Sequence, residues 1–305
     1  MHELQFLILT VIVLALVFDF INGFHDTANA IATSVSTRAI KPAHAIIMAA
    51  VLNFLGAIYS TGVAKTIGGD IVASAEMVDE HIIIAALMGS IVWNLFTWYV
   101  AMPSSSSHAL VGGIIGAVLV STGSTGLNFI GIGKIVLSLI ASPLLAIFSG
   151  FIVMTVLFLL FGRFAPSALN GRFKKMQILS AATMAFSHGS NDAQKSMGII
   201  TLALLSGGYL SSFEVPDYVK FLCAAAMACG TALGGWRIIR TIGGKIFKLE
   251  PISGFAADLN SSIVIFSATL LHLPVSTTHV VSGSIMGVGT AKRIRAVRWG
   301  VAQQM

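Results

Sequence analysis

The sequence predicts an all-α membrane protein made of two related halves of opposite orientation, with broken helices or re-entrant hairpins. Three observations predict it. The 305 residues are 56% hydrophobic and 10% charged, with a mean hydropathy of +0.90. Soluble domains carry about 25% charged residues, so a soluble fold of this composition could not cover its surface with polar groups. Apolar runs of membrane-spanning size recur along the chain. Polar blocks with little business in such runs occur twice, in the same order.

A bilayer helix needs about 20 apolar residues. Apolar segments fall at 4–21, 27–36, 43–64, 82–101, 107–121 and 134–162, and resume at 177–187, 193–206, 217–236, 256–272 and 279–290. The first is no signal peptide: Glu3 stands in a head without Lys or Arg, and no small-residue cleavage site follows. It reads as a first spanning helix. Several later segments are too short to span alone, and paired short segments are the sign of helices broken at a binding site. Breaks are expected at Asp26 and at its later counterpart. The basic stretch from Arg163 to Lys175, with Pro166, Asn170 and Gly171, is the natural midpoint. It divides a first membrane repeat (1–162) from a cytoplasmic linker (163–176) and a second, inverted repeat (177–305).

The duplication rests on three blocks. Asn22-Gly-Phe-His-Asp-Thr-Ala-Asn29 is answered by His188-Gly-Ser-Asn-Asp-Ala-Gln-Lys195, an offset of 166 (192 − 26). Pro103-Ser-Ser-Ser-Ser-His108 is answered by Pro274-Val-Ser-Thr-Thr-His279, offset 171 (274 − 103), and Thr66-Ile-Gly-Gly69 by Thr241-Ile-Gly-Gly244, offset 175 (241 − 66). The first half closes with 134–162, whereas the sequence stops at Met305, where the matching segment is expected to begin. A last helix is expected beyond it.

Loop charge sets the orientation. Arg38 and Lys41, the linker, Arg237 to Lys248 and Lys292 to Arg298 are basic, and Asp70 to Glu80 is acidic. Placing the basic loops in the cytoplasm puts the N-terminus outside and gives the halves opposite directions. The net charge of +6 follows from these loops. No basic stripe with interleaved aromatics marks a nucleic-acid partner. Cys223 and Cys229 have no ligand partners at metal spacing and read as small core residues, while Trp93, Trp98, Trp236 and Trp299 read as interface anchors or packing.

The blocks also carry chemistry. A Pro ends one helix, and Ser suits the start of the next as its cap. A helix start offers unpaired N–H groups and a positive dipole end. With hydroxyls from Ser105, Ser106, Ser107, Ser276, Thr277 and Thr278, two such starts suit a tetrahedral oxyanion. Gly112, Gly113, Gly116, Gly283 and Gly287 permit close helix approach.

Asp26 and Asp192 do not suit an anion by themselves. An Asp near mid-bilayer costs roughly 2.5–3.5 kcal/mol on insertion scales, so its repetition suggests a site. Carboxylates with Asn29, Asn94 and Asn191 are hard ligands for Na⁺ or a divalent metal ion, and a buried carboxylate can instead carry a proton. Bound cation and anion would assist each other, which is symport. Lys195 and Asn191 are also expected to bind the anion directly, and Lys195 can instead neutralise an Asp. His25, His108, His188 and His279 can donate to an oxyanion or take a proton, or simply bond a neighbouring carbonyl.

These paired motifs resemble the inorganic phosphate transporter (PiT) family, in its bacterial low-affinity form, from about residue 15 to 298. The resemblance implies a secondary symporter in the plasma membrane, the inner membrane of a bacterial cell. It would import phosphate with Na⁺ or H⁺ by alternating access, as a homodimer, without a resident cofactor or enzymatic activity. Some relatives of this type resemble carriers of neutral metal–phosphate complexes. The family motif Gly-Ala-Asn-Asp is matched at Gly189-Ser-Asn-Asp192, but His25 replaces the Asn at Gly23-Phe-His-Asp26. Gln194-Lys195 also stands where the first copy has Ala28-Asn29, and this asymmetry can favour H⁺ over Na⁺. Rival readings are a channel, a carrier of sulfate or another oxyanion, and an intramembrane Ser/His hydrolase. The last does not need everything twice, and no Gly-x-Ser-x-Gly elbow occurs.

Overall fold

A computed structural model describes residues 2–100, 102–164, 166–233 and 246–302. The chain is all-α there, with helices α1 (His2–Ser36), α2 (Pro42–Ala57), α3 (Gly62–Gly69), α4 (Glu80–Tyr99), α5 (Ser106–Thr122) and α6 (Phe129–Phe161) before the midpoint. After it come α7 (Pro166–Ser206), α8 (Asp217–Leu233), α9 (Pro251–Leu270) and α10 (Thr277–Lys292). The block Thr241 to Gly244, Trp236 and the basic residues from Arg237 to Lys245 lie outside the described residues.

Among the described residues, α1, α4, α5 with its following turn, and α6 are long and apolar enough to cross a membrane. The pair α2 and α3, bent by 71° at its break, forms a fifth candidate span. Side chains of α6 such as Ile130, Leu137, Leu144 and Leu159 are exposed, an apolar surface suited to lipid. The chain is a membrane protein. Helix α7 is the opposite case: residues 187–204 are all buried. Its polar residues face other helices, so no insertion into lipid is asked of them.

Two sequence expectations change. The breaks expected at Asp26 and Asp192 are absent; α1 (35 residues) and α7 (41 residues) run straight through both motifs. Neither motif contains a Pro, and close helix packing leaves backbone hydrogen bonds intact there. The breaks fall instead after Ala57, and at Val100–Ser105 and Leu271–Ser276, where Pro103 and Pro274 end one helix and start the next. The stretch 163–176 is not a loop for most of its length, because α7 begins at Pro166. Pro is favoured in the first turn of a helix.

Packing repeats as the sequence does. A Cβ at Gly189 of α7 would stand 2.2 Å from the Asn53 carbonyl of α2, and one at Gly23 of α1 would stand 2.3 Å from the Met227 carbonyl of α8. Likewise Gly56 would meet the Phe186 carbonyl at 2.1 Å, and Gly230 the Phe20 carbonyl at 2.0 Å. The long motif helix of each half is thus held against the second helix of the other half, at backbone contact that only glycine permits. Gly283 and Gly287 of α10 similarly face the Pro143 and Ile147 carbonyls of α6, at 2.8 and 2.1 Å. Their duplicates Gly112 and Gly116 on α5 have nothing within 4 Å. Cys223 is buried, as expected; Cys229 is exposed, because it lies on the outward side of α8. Trp98 packs edge-on against Phe24 at 5.4 Å, and Trp93 and Trp299 are exposed.

Candidate functional site

The exchanged packing of α1 and α7 brings their polar motifs together. Asp26, His188 and Asp192, all buried, offer ligand atoms within 4.8 Å of one another. The two carboxylates that the sequence repeats therefore share one place.

The broken helices supply the hydroxyls. Ser105 and Ser276 cap α5 and α10, accepting from the backbone N–H of His108 (3.2 Å) and His279 (3.3 Å). This fixes where the next two hydroxyls point. Ser106 donates to Asp26 Oδ2 at 3.0 Å, and its duplicate Thr277 donates to Asp192 Oδ2 at 3.1 Å. The following residues cross between halves. Thr278 accepts from Asn29 Nδ2 (2.9 Å) and donates to Asp26 Oδ1 (3.2 Å). Ser107 accepts from Lys195 Nζ (2.6 Å) and donates to the Val275 carbonyl (2.8 Å). Asn29 and Lys195 are duplicates, as are Thr278 and Ser107. The bonds from Asn29 to Thr278 and from Lys195 to Ser107 match across the halves, whereas the hydroxyl protons go to different acceptors, Asp26 for Thr278 and the Val275 carbonyl for Ser107.

Its charges are not symmetric. Lys195 Nζ lies 2.5 Å from Asp192 Oδ1, with both side chains wholly buried; the corresponding place beside Asp26 holds the neutral amide of Asn29. His25 Nδ1 sits 2.8 Å from Asp26 Oδ1, and His188 Nε2 lies 3.4 Å from Asp192 Oδ2. With neutral imidazoles, two carboxylates and one ammonium leave one uncompensated negative charge. Asp26 meets that charge with hydrogen bonds alone, from Ser106, Thr278 and the His25 ring, and has no ammonium of its own.

Other expected residues brace the site. Asn191 donates to Thr269 Oγ1 (3.0 Å) and the Leu273 carbonyl (3.2 Å) and accepts from Val275 N–H (3.2 Å), clamping the second break. His25, in the matching position, reaches Thr97 Oγ1 at 3.4 Å, and Ser104 donates to that same hydroxyl at 2.8 Å. His108 and His279 face each other with ring centroids 5.2 Å apart, the former exposed. Asn94 is buried with neither polar atom bonded, and does not hold either Asp.

Sequence reading missed Asn22, whose Oδ1 lies 3.0 Å from Ser106 Oγ, and Asn53, whose Oδ1 meets His188 Nδ1 at 3.0 Å. It also missed Asp19 and Asp258, buried carboxylates of α1 and α9. Position alone could have found them, since an ionisable residue inside a membrane segment is a functional candidate by default. A pocket of about 620 Å³ between α2, α7 and α9, lined by apolar side chains such as Leu52, Phe186 and Phe266, does not include the Asp pair.

A membrane-embedded helical scaffold that buries two carboxylates, an ammonium and two hydroxyl-capped helix starts in one place has the makings of a transporter, and comparison with known proteins agrees. The phosphate transporter family matches residues 22–305, and the chain belongs to that family. It is 52% identical over 307 residues to the probable low-affinity inorganic phosphate transporter of Bacillus subtilis (strain 168), covering 100% of this chain and 92% of that protein. It is 46% identical to the protein of the same description from Rhizobium meliloti (strain 1021), covering 97% and 89%. A solved structure described as "the sodium-dependent phosphate transporter" superposes with a TM-score of 0.87 at 26% identity, covering 98% of this chain and 93% of that one. The relatives are transporters, not enzymes.

Proposed function

We propose that this chain imports inorganic phosphate across the plasma membrane together with a monovalent cation, Na⁺ or H⁺, by alternating access. The observation that carries the proposal is the meeting of Asp26 and Asp192 beneath the paired starts of α5 and α10. In this reading Asp26, with Asn29 beside it, holds the coupling cation. The hydroxyls of Ser106, Ser107, Thr277 and Thr278, with the N–H groups of the two helix starts and Lys195, hold phosphate. Asn191 and His25 keep those starts in place. An anion cannot approach two carboxylates unless their charge is offset. Lys195 offsets one and the cation the other, so the two ligands favour each other's binding.

The sodium dependence of the structural neighbour supports Na⁺. The resident ammonium and the two histidines favour H⁺. A second reading has one specific observation behind it: Asp26, His188 and Asp192 could hold a divalent metal, which would then travel with phosphate as a neutral complex. We also assign the two halves opposite orientations, place the N-terminus outside, and expect a homodimer.

The test is radiolabelled phosphate uptake by proteoliposomes under an imposed Na⁺ or pH gradient, with and without divalent metal. Uptake should follow one gradient in the wild type and be lost in Asp26→Asn and Asp192→Asn. Wild-type rates in both variants refute the assignment, and a requirement for divalent metal selects the second reading.

A further inference from the structure

Two carboxylates outside the central pair have no evident structural task. Asp19 of α1 is wholly buried; its Oδ1 accepts from Ser196 of α7 at 2.7 Å, and its Oδ2 lacks a hydrogen bond of ordinary geometry, though the Cys223 thiol of α8 faces the carboxylate. Asp258 of α9 is equally buried; its Oδ1 accepts from Thr33 of α1 at 2.5 Å, and its Oδ2 lacks a hydrogen bond of ordinary geometry, though the Gln177 side chain of α7 faces the carboxylate. Buried polar atoms are nearly always bonded, and a carboxylate oxygen without such a bond is among the least tolerable exceptions.

Their placement is regular. Asp19, Asp26 and Thr33 stand at seven-residue intervals on α1, which is two turns, or about 10 Å, per step. An α-helix drifts only about 20° over seven residues, so all three share one face. Asp19 and the Thr33–Asp258 pair therefore flank the central site, one on each side along the helix axis. The Asp19 end is linked further: its donor Ser196 follows Asp192 by one turn on α7.

We propose that Asp19 and Asp258 are proton-accepting stations, each taking a proton on its Oδ2 and returning it as H⁺ passes between the water phases and the central site. This rests on the reading of that site as a cation-coupled phosphate carrier, and deepens it by naming the proton as the coupling cation. A proton suits these positions better than Na⁺, which would need several oxygen ligands, because each carboxylate has one hydroxyl beside it, joined by a thiol at Asp19 and an amide side chain at Asp258. The titratable and charged groups facing Asp19 are Cys223 on α8 and Asp192 and Lys195 on α7. Asp258 is faced by Thr33 and by Gln177 of α7, neither titratable.

The experiment separates translocation from proton coupling. Proteoliposomes of wild type, Asp19→Asn, Asp258→Asn and Asp19→Glu are compared in two assays. One is exchange of labelled phosphate with equal pH on both sides; the other is uptake driven by an imposed pH gradient. The wild type should respond to the gradient. Both Asn variants should keep exchange within about twofold and lose tenfold or more of the gradient-driven rate, and Asp19→Glu should recover it. Gradient-driven uptake at wild-type rates in the Asn variants overturns the proposal. So does parallel loss of exchange and driven uptake, which would make the two residues structural. A wild type that exchanges phosphate but ignores the pH gradient overturns it while leaving the carrier reading intact. Failure of wild-type exchange instead sinks the carrier reading itself.

Discussion

Removing the ammonium of Lys195 is the most informative perturbation of the site. Its Nζ touches Asp192 at 2.5 Å and Ser107 at 2.6 Å, with no solvent to take its place. Breaking a buried ion pair by deleting one partner costs about 3–5 kcal/mol, because the other charge is left uncompensated. Lys195→Met should therefore lower thermal stability by on the order of 6–15 °C, taking roughly 2–3 °C per kcal/mol for a chain of this size. The double variant Lys195→Met with Asp192→Asn removes both charges and should recover most of that loss. The single variant also leaves two carboxylates within 4.8 Å and no cation, so added Na⁺ should raise its melting temperature more than that of the wild type. The assay is thermal unfolding of the detergent-solubilised protein over a sodium series. Single and double variants that melt together, with equal sodium responses, refute the charge balance argued here.

Other outcomes follow from the same geometry. Ser106→Ala and Thr277→Val each remove a hydroxyl bonded to a carboxylate, a contact worth about 1.5–3 kcal/mol. Each should therefore weaken phosphate uptake roughly 10- to 100-fold, read as initial rates in proteoliposomes, and by similar factors because the residues are duplicates. Gly56→Ala and Gly230→Ala force a methyl into backbone carbonyls at 2.1 and 2.0 Å. Such overpacking costs about 1–3 kcal/mol, visible as a lower melting temperature in both. Gly116→Ala, with nothing within 4 Å of the added methyl, should instead raise the melting temperature by roughly 2–3 °C, the effect of about 1 kcal/mol of helix propensity. Asn191→Ala loses the clamp on the second break and should reduce uptake about tenfold, the effect of roughly 1.4 kcal/mol.

The spacing of the duplicated blocks already indicated which residues would meet. Pro103 and Pro274 announced the helix starts, and the hydroxyls after them reach the Asp motifs in matched pairs. What spacing could not show was the continuity of α1 and α7. An Asp in an apolar run reads as a break because it cannot face lipid. The alternative, a helix enclosed on all sides like 187–204 of α7, depends on neighbours distant in sequence. Asn53 and Asn22 escaped for the same reason, since each acts through a partner far along the chain. Asp19 and Asp258 carry no such signal because neither is repeated: their equivalents at the same offsets are Ala185 and Leu87.

The central claim is that one buried site binds cation and phosphate together through Asp26 and Asp192. Equilibrium binding of labelled phosphate to the purified protein, measured across a series of Na⁺ concentrations and again across pH, tests it most directly. Affinity should rise with one of the two cations in the wild type, and that dependence should vanish in Asp26→Asn and in Asp192→Asn. Phosphate binding that ignores both cations, or that keeps its full cation dependence in the two variants, would contradict a shared site.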